Sequence, residues 1–224
     1  MRQVHAEAEG MIAALFVETN GAYFGIPNVD PWDEARDARL YDGPWPVVAH
    51  PPCARWCRLA GLVEATRGYK RGADGGCFAS ALASVRKWGG VLEHPAYSAA
   101  FAAHGIAAPT GPWQRTIEGG WVCHIEQWHY GHLAKKATWL YAYGIYPPPL
   151  RWGMTPDNAV VAYVSSGGAD IHRELPALVS WCGNHTKVDD GRKRLSGKAA
   201  SATPQAFRDI LIAMAESARV EVEA

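Results

Sequence analysis

Val47-Val48-Ala49-His50-Pro51-Pro52-Cys53-Ala54-Arg55-Trp56-Cys57 is the stretch whose reading decides the fold. A short apolar run leaves a Pro- and Gly-rich approach and ends at a histidine, two prolines and a cysteine. Such a run bounded by breakers predicts a buried strand that stops in a loop. Pro51 and Pro52 have no backbone N–H and fix their own φ, so the backbone entering Cys53 is stiff. Open α/β sheets place their chemistry beyond the carboxyl ends of their strands, and here a thiol stands at that position. The alternative is that Cys53 is a small buried hydrophobe, the common fate of a free cysteine.

Downstream, Gly68–Gly76 is glycine-rich and basic, with no Gly-Lys-Ser or Gly-Lys-Thr to make a phosphate cradle; it predicts a mobile loop. Phe78, Ala81, Leu82 and Val85 recur at helical spacing from Cys77 to Trp88, and Gly89-Gly90 ends that helix. Val91-Leu92-Glu93-His94-Pro95 predicts a second short strand ending at a carboxylate, with Glu93 alternatively capping a helix through 97–103. Trp121–Glu126 and Thr138–Tyr143 predict two more strands around the polar loop 131–136. Upstream, Asn20-Gly21 between two strand-like runs over 13–24 predicts an opening hairpin, and Asp30-Pro31 predicts the start of a surface helix through Leu40. Residues 150–202 read as irregular with a strand over 159–164. Thr203-Pro204 opens a last helix with Phe207, Ile210, Leu211 and Met214 on one face. The alternation predicts an α/β fold with a mostly parallel sheet, divided as a domain over 1–149, an irregular segment over 150–202 and a C-terminal helix over 203–224 packing back on the domain.

In 224 residues, 48% are hydrophobic and 20% charged, as in a globular chain with a real core. Formal net charge is zero, so no global field draws the chain to nucleic acid and any such surface must be local. No basic segment followed by an apolar core opens the chain and no run approaches membrane-spanning length, so a cytoplasmic protein with reduced cysteines is expected. The five cysteines are odd in number and scattered, unlike a disulfide framework.

In order, Pro52-Cys53, then Glu93, then Tyr130-Gly131 leading to Lys135-Lys136 and a strand ending at Gly144 resemble the DNA cytosine-5 methyltransferases, most closely the short phage-type members. The resemblance covers about residues 46–144 and implies a Rossmann-like, methyltransferase-type sheet in a bacterial or phage-infected cell. It implies that Cys53 is a nucleophile for C6 of cytosine, that Glu93 binds N3, and that Lys136 is an orienting cation where the family has an arginine. Ala134 and Thr138 replace the family's glutamine and second arginine, and His94 replaces the asparagine beside the glutamate. For S-adenosylmethionine it offers Phe16, Asp30, Trp32 and Pro52, although Phe16-Val17-Glu18-Thr19-Asn20-Gly21 stands where the family has a Phe-x-Gly-x-Gly turn. A methylenetetrahydrofolate donor, or a free pyrimidine nucleotide as substrate in place of DNA, is the alternative. Arg55, Lys135 and the cluster Arg192, Lys193, Arg194 and Lys198 are the residues expected to face nucleic acid. The chemistry suits these residue types: thiolate addition at C6, with an acid at N3, turns C5 into an enamine-like carbon that accepts an electrophile. The base would have to be flipped from the duplex.

Three readings from other classes stand beside this one. His50, Cys53, Cys57, Cys123, His124, Cys182 and His185 are soft ligands for zinc. Cys53 with His50, His94 or His132 could form a thiol hydrolase pair. A non-catalytic nucleic-acid-binding protein could keep the same scaffold.

Overall fold

The computed structural model describes residues 10–57, 60–153, 178–179, 194–195 and 197–219. Its centre is a seven-stranded sheet in the order β2-β1-β3-β4-β7-β6-β5. The strands are β1 (Ile12–Leu15), β2 (Val29–Trp32), β3 (Val47–Ala49), β4 (Gly90–Pro95), β5 (Gln114–Arg115), β6 (Trp121–Glu126) and β7 (Ala137–Tyr143). The 47–49 run is β3, buried throughout between β1 and β4, where a continuous apolar strand belongs.

The sheet is mixed, which corrects the expectation of a mostly parallel one. β1 to β4 run parallel, but β7 is antiparallel to both β4 and β6, and β5 is antiparallel to β6. The cause is the connection over residues 127–136. It holds only a 3-10 turn at Gln127–Tyr130 and is too short for a parallel crossover, so the chain reverses.

The opening hairpin is also corrected. Both edges of β1 are taken, by β2 and by β3, so no edge is left for a hairpin partner. Asn20-Gly21 does form a tight turn, with Asn20 at φ 57° and the Gly21 N–H donating to the Glu18 carbonyl at 2.8 Å. It lies in the β1–β2 connection, and Tyr23 just after it is drawn into the core. The expected helix from Pro31 is replaced by β2, an edge strand that tolerates Pro31, and by turns ending in a 3-10 segment at Ala38–Leu40.

α2 (Cys77–Trp88) covers one face of the sheet, setting Phe78, Ala81, Leu82 and Val85 against Ala13, Leu15, Val47, Ala49 and Leu92. α5 (Gln205–Glu216) covers the other, setting Phe207, Leu211 and Met214 against Ile12, Ala14, Val48, Val91 and Leu140. Each Val, Leu, Ile, Phe or Met side chain among these taken fully from water contributes roughly 1.5–3 kcal/mol. Shorter helices α1 (Ala60–Arg67), α3 (Ala99–Ala103) and α4 (Gly197–Ser201), and a parallel pair β8 (Leu178–Val179) and β9 (Arg194–Leu195), complete the described elements. The strand expected over 159–164 lies outside the described residues.

The Gly68–Gly76 segment is held at several points. Gly72 N–H donates to the Arg55 carbonyl, and Asp74 accepts from the Trp56 indole at 2.7 Å and from the Phe78 and Gly76 N–H groups. Among the described residues, no helix is long and apolar enough to cross a membrane.

Candidate functional site

Successive side chains of a strand point to opposite faces, and this period places the site. On β3, Val47 and Ala49 face α2, so Val48 and then His50 face α5. On β4, Leu92 and His94 face α2 while Val91 and Glu93 face α5. The same alternation carries Gln127, two residues past Ile125, and Thr138, two before Leu140, to the α5 face. A polar network therefore crosses the sheet from the end of β3 to the start of β7.

Glu93 is its hub. His50 Nδ1 lies 3.1 Å from Glu93 Oε2, and Gln127 Nε2 donates to Glu93 Oε1 at 3.1 Å and to Thr138 Oγ1 at 3.0 Å. Thr138 Oγ1 donates in turn to the Lys136 carbonyl. On the far side of His50, Nε2 lies 2.8 Å from the Tyr23 hydroxyl. Burial pushes the Glu93 carboxyl up, but the hydrogen bond and charge of His50, with Lys136 and His94, outweigh it and hold the group down to about 2. The hub is a carboxylate.

Cys53 stands past the two prolines, where Trp56 and Cys57 N–H groups bond its carbonyl in a tight turn. It is half-buried. Burial, then the negative charges of Glu93 and Cys57, push its thiol up to about 11, with Lys136 pulling the other way. The resting site thus holds a thiol and a carboxylate.

The structure brings Cys53, Glu93 and Lys136 into mutual electrostatic contact. Lys136 does not point its ammonium at an open site: Nζ donates to the carbonyls of Ser201 and Ala202 at 2.8 and 2.7 Å, beside the end of α4. Burial lowers its pKa while Glu93 and Cys53 raise it. His94 lies on the opposite face, fully buried, its ring against Phe78 at 5.2 Å. Neither of its nitrogens meets a partner in full hydrogen-bond geometry, although Glu93 and the Pro52 carbonyl both favour its charged form. Burial holds it neutral, down to about 4.

The residues offered for S-adenosylmethionine do not fit that group as arranged. Asp30 already accepts from the Trp32 indole and from the Arg36 guanidinium, so the acid meant for ribose hydroxyls is engaged. Arg36 also lies 4.0 Å over the Trp32 ring, covering the face an adenine would stack on. Phe16 takes a left-handed φ of 58° and packs against the α2-side core, while Glu18 and Asn20 stand where the motif has its glycines. Pro52 is exposed beside Cys53.

Arg55 stacks on Tyr69 at 4.1 Å, two residues past Cys53. Lys135 is half-buried in the 127–136 connection. Arg194 lies in β9 and Lys198 in α4, while Arg192 and Lys193 lie outside the described residues. Among the described residues, no group of three or more His, Cys, Asp or Glu side chains is gathered to hold a metal; Cys182 and His185 lie outside them. A thiol hydrolase pair with His50 is not assembled, because both ring nitrogens are committed to Tyr23 and Glu93. His94 faces away, and His132 Nδ1 is bound to Ala134.

Sequence reasoning missed Gln127 as a partner of Glu93, and Tyr23 and Thr138 as the next members of its network. The signal for Gln127 and Thr138 was their phase with Ile125 and Leu140. Tyr23 sits in a connection without period and gave none. A cleft lined by Ile12, Asn28, Trp45 and Glu216 opens at the amino ends of β1 to β3, away from the network. Its one titratable side chain is Glu216, and it gathers no nucleophile. No protein-family model, no curated protein and no solved structure matches this chain.

Proposed function

We propose that this protein is a pyrimidine-C5 base-modifying transferase acting on cytosine in DNA, with Cys53 as the nucleophile and Glu93 as the group that binds N3. The observation that carries the reading is a thiol in the turn past β3 near enough to feel the charge of a doubly hydrogen-bonded carboxylate on β4. Its position supports the reading too. From β1 the chain goes first to β2 on one side and then to β3 on the other, so a topological switch point lies between β1 and β3. Ligands of open α/β sheets bind beyond the carboxyl ends at such a point, where His50, Cys53 and the Tyr23 connection lie. We read the parallel half of the sheet as Rossmann-like on the same ground.

The protonation states suit the addition step. Attack on C6 forms an S–C6 bond, the C5=C6 electron pair moves toward C4, and N3 takes up one proton. The resting site holds that proton on Cys53. Glu93 as carboxylate receives it and passes it to N3, so the charge count closes without an outside acid. The transfer is uphill in the empty site, because the thiol holds its proton far more tightly than the carboxylate. Base binding drives it by expelling water and placing N3 against the carboxyl. C5 then attacks a one-carbon electrophile and displaces the rest of the donor. Water takes the C5 proton, the C5=C6 bond re-forms as the S–C6 bond breaks with its electrons on sulfur, and the N3 proton returns through Glu93 to the Cys53 thiolate. The arrangement at Asp30 and Trp32 weighs against S-adenosylmethionine as that donor, and no step here is routed through it.

Nucleoside mass spectrometry on DNA from cells expressing the protein, with Cys53→Ala beside it, tests the reading. A new cytosine-derived mass absent from the variant is expected. A methyl increment would point to an S-adenosylmethionine-type donor and a hydroxymethyl increment to a folate-type donor. An unchanged profile, with folded protein supplied with DNA and both donors, refutes DNA modification.

A further inference from the structure

We infer that His50 is a positioning residue for Glu93, and that the Tyr23 hydroxyl supports it by donating to the ring nitrogen that Glu93 leaves bare. The inference rests on the role of Glu93 proposed above, but its geometry is independent of that role. His50 enters the site from a fixed backbone, since its N–H donates to the Leu15 carbonyl at 3.0 Å at the end of β1. Its side chain is only 14% exposed and that of Glu93 11%, so water does not replace either partner freely. Tyr23 is 3% exposed, and its hydroxyl is bonded to His50.

The donor and acceptor roles follow from the partners. A carboxylate only accepts, so Nδ1 must carry a hydrogen to bond Oε2. In the neutral ring Nε2 is then an acceptor, and the Tyr23 hydroxyl is the donor that meets it at 2.8 Å. Tyr23 is well suited to donate, because burial and Glu93 both keep its proton in place. With His50 on Oε2 and Gln127 on Oε1, the carboxylate plane is held from two sides, by a residue just past β3 and one just past β6. The charged and titratable groups facing this chain are Cys53 beyond β3, Lys136 ahead of β7, His94 behind β4, and Arg208 and Asp209 on α5 beside Tyr23. Arg208 also donates to the Ala22 carbonyl, which pins the connection that carries Tyr23.

The test uses the full chain labelled with 15N-histidine and 13C-glutamate, and needs no substrate. In the unaltered protein, long-range proton–nitrogen spectra are expected to show His50 protonated on Nδ1 and bare on Nε2. Tyr23→Phe is expected to leave the hydrogen on Nδ1, where Glu93 holds it, and to shift the Nε2 resonance as that nitrogen loses its donor. An asparagine amide can stand near the Nδ1 position and a glutamine amide near Nε2. His50→Asn, which keeps the hydrogen bond and loses only the charge, is therefore expected to raise the titration midpoint of Glu93 less than His50→Gln, which loses both and weakens the acid roughly tenfold or more. A purely structural role would move stability in both variants and not separate their titrations. An Nε2-protonated His50 in the unaltered protein, or a Glu93 titration unchanged by His50→Gln, overturns the inference. If the tautomer and the titrations are as expected while DNA stays unmodified, the proposed function fails and the positioning pair stands.

Discussion

Lowering the pH from 7 to 5 should loosen this protein chiefly through two buried histidines, and His94 is the one whose share can be isolated. Its ring is fully buried against Phe78 with no hydrogen bond to either nitrogen, so protonation would leave a charge unsolvated. Burial lowers its pKa from an ordinary 6.5 to about 4. A depressed folded value means that the stabilisation is complete above the unfolded value and is lost as pH falls through the folded one. The window is therefore 6.5 down to 4. Linkage over that window gives a loss of about 2 kcal/mol at pH 5, rising to about 3 kcal/mol below pH 4. His132, also brought to about 4 by burial and by the charge of Lys136, adds a comparable loss. Urea unfolding at pH 7 and pH 5 is the assay. With a denaturant slope of about 3 kcal/mol per molar, His94 alone accounts for a midpoint drop of about 0.7 M. His94→Phe keeps a ring in the same space and removes the titration, so its midpoint should fall by about half as much as that of the unaltered protein. Equal pH dependence in the two proteins would refute the argument.

Two further predictions concern the frame. Gly90→Ala should cost about 4 kcal/mol or more, or prevent folding: Gly90 has φ 122°, and an added Cβ would lie 2.0 Å from the Val47 carbonyl oxygen. Circular dichroism and thermal melting would report it, and a melting temperature within 3 °C or so of the parent would refute the close approach of β3 and β4. Asp74→Ala should cost about 2 kcal/mol in urea unfolding, because it strips the cap from α2 and the acceptor from the Trp56 indole. A loss below about 0.5 kcal/mol would show that water replaces both.

Several elements were legible in the sequence because local rules govern them. α2 spans Cys77–Trp88, as its apolar spacing and the two closing glycines predict, and β6 spans Trp121–Glu126. α5 starts two residues past Thr203, at Gln205, with Phe207, Leu211 and Met214 inward, as its periodicity predicts. What was not legible is partner choice. Asn20-Gly21 specifies a turn, but whether flanking segments pair depends on whether β1 has a free edge, and β2 and β3 occupy both. The reversal at β7 is likewise set by the length of the 127–136 connection in combination with β4 as its other neighbour. In the site, Cys53 and Glu93 stand out as polar residues at the ends of apolar runs. Lys136 reads as an available cation only until the carbonyls of Ser201 and Ala202 arrive from more than sixty positions away. His50 reads as a metal ligand or a general base, and only its two partners in space give it another task.

The polar network joins the parallel half of the sheet to the antiparallel half, and this has a consequence for the order of folding. β6 and β7 are neighbours along the chain and can close early as a local hairpin, whereas β4 and β7 pair across roughly forty to fifty intervening residues. Glu93 belongs to the first half and Gln127 to the second, so their bond exists only after this long-range docking. A partly folded or truncated chain would present Cys53 without the oriented carboxylate beside it. The thiol would then be an ordinary exposed nucleophile during biosynthesis, and only completion of the sheet would confine it.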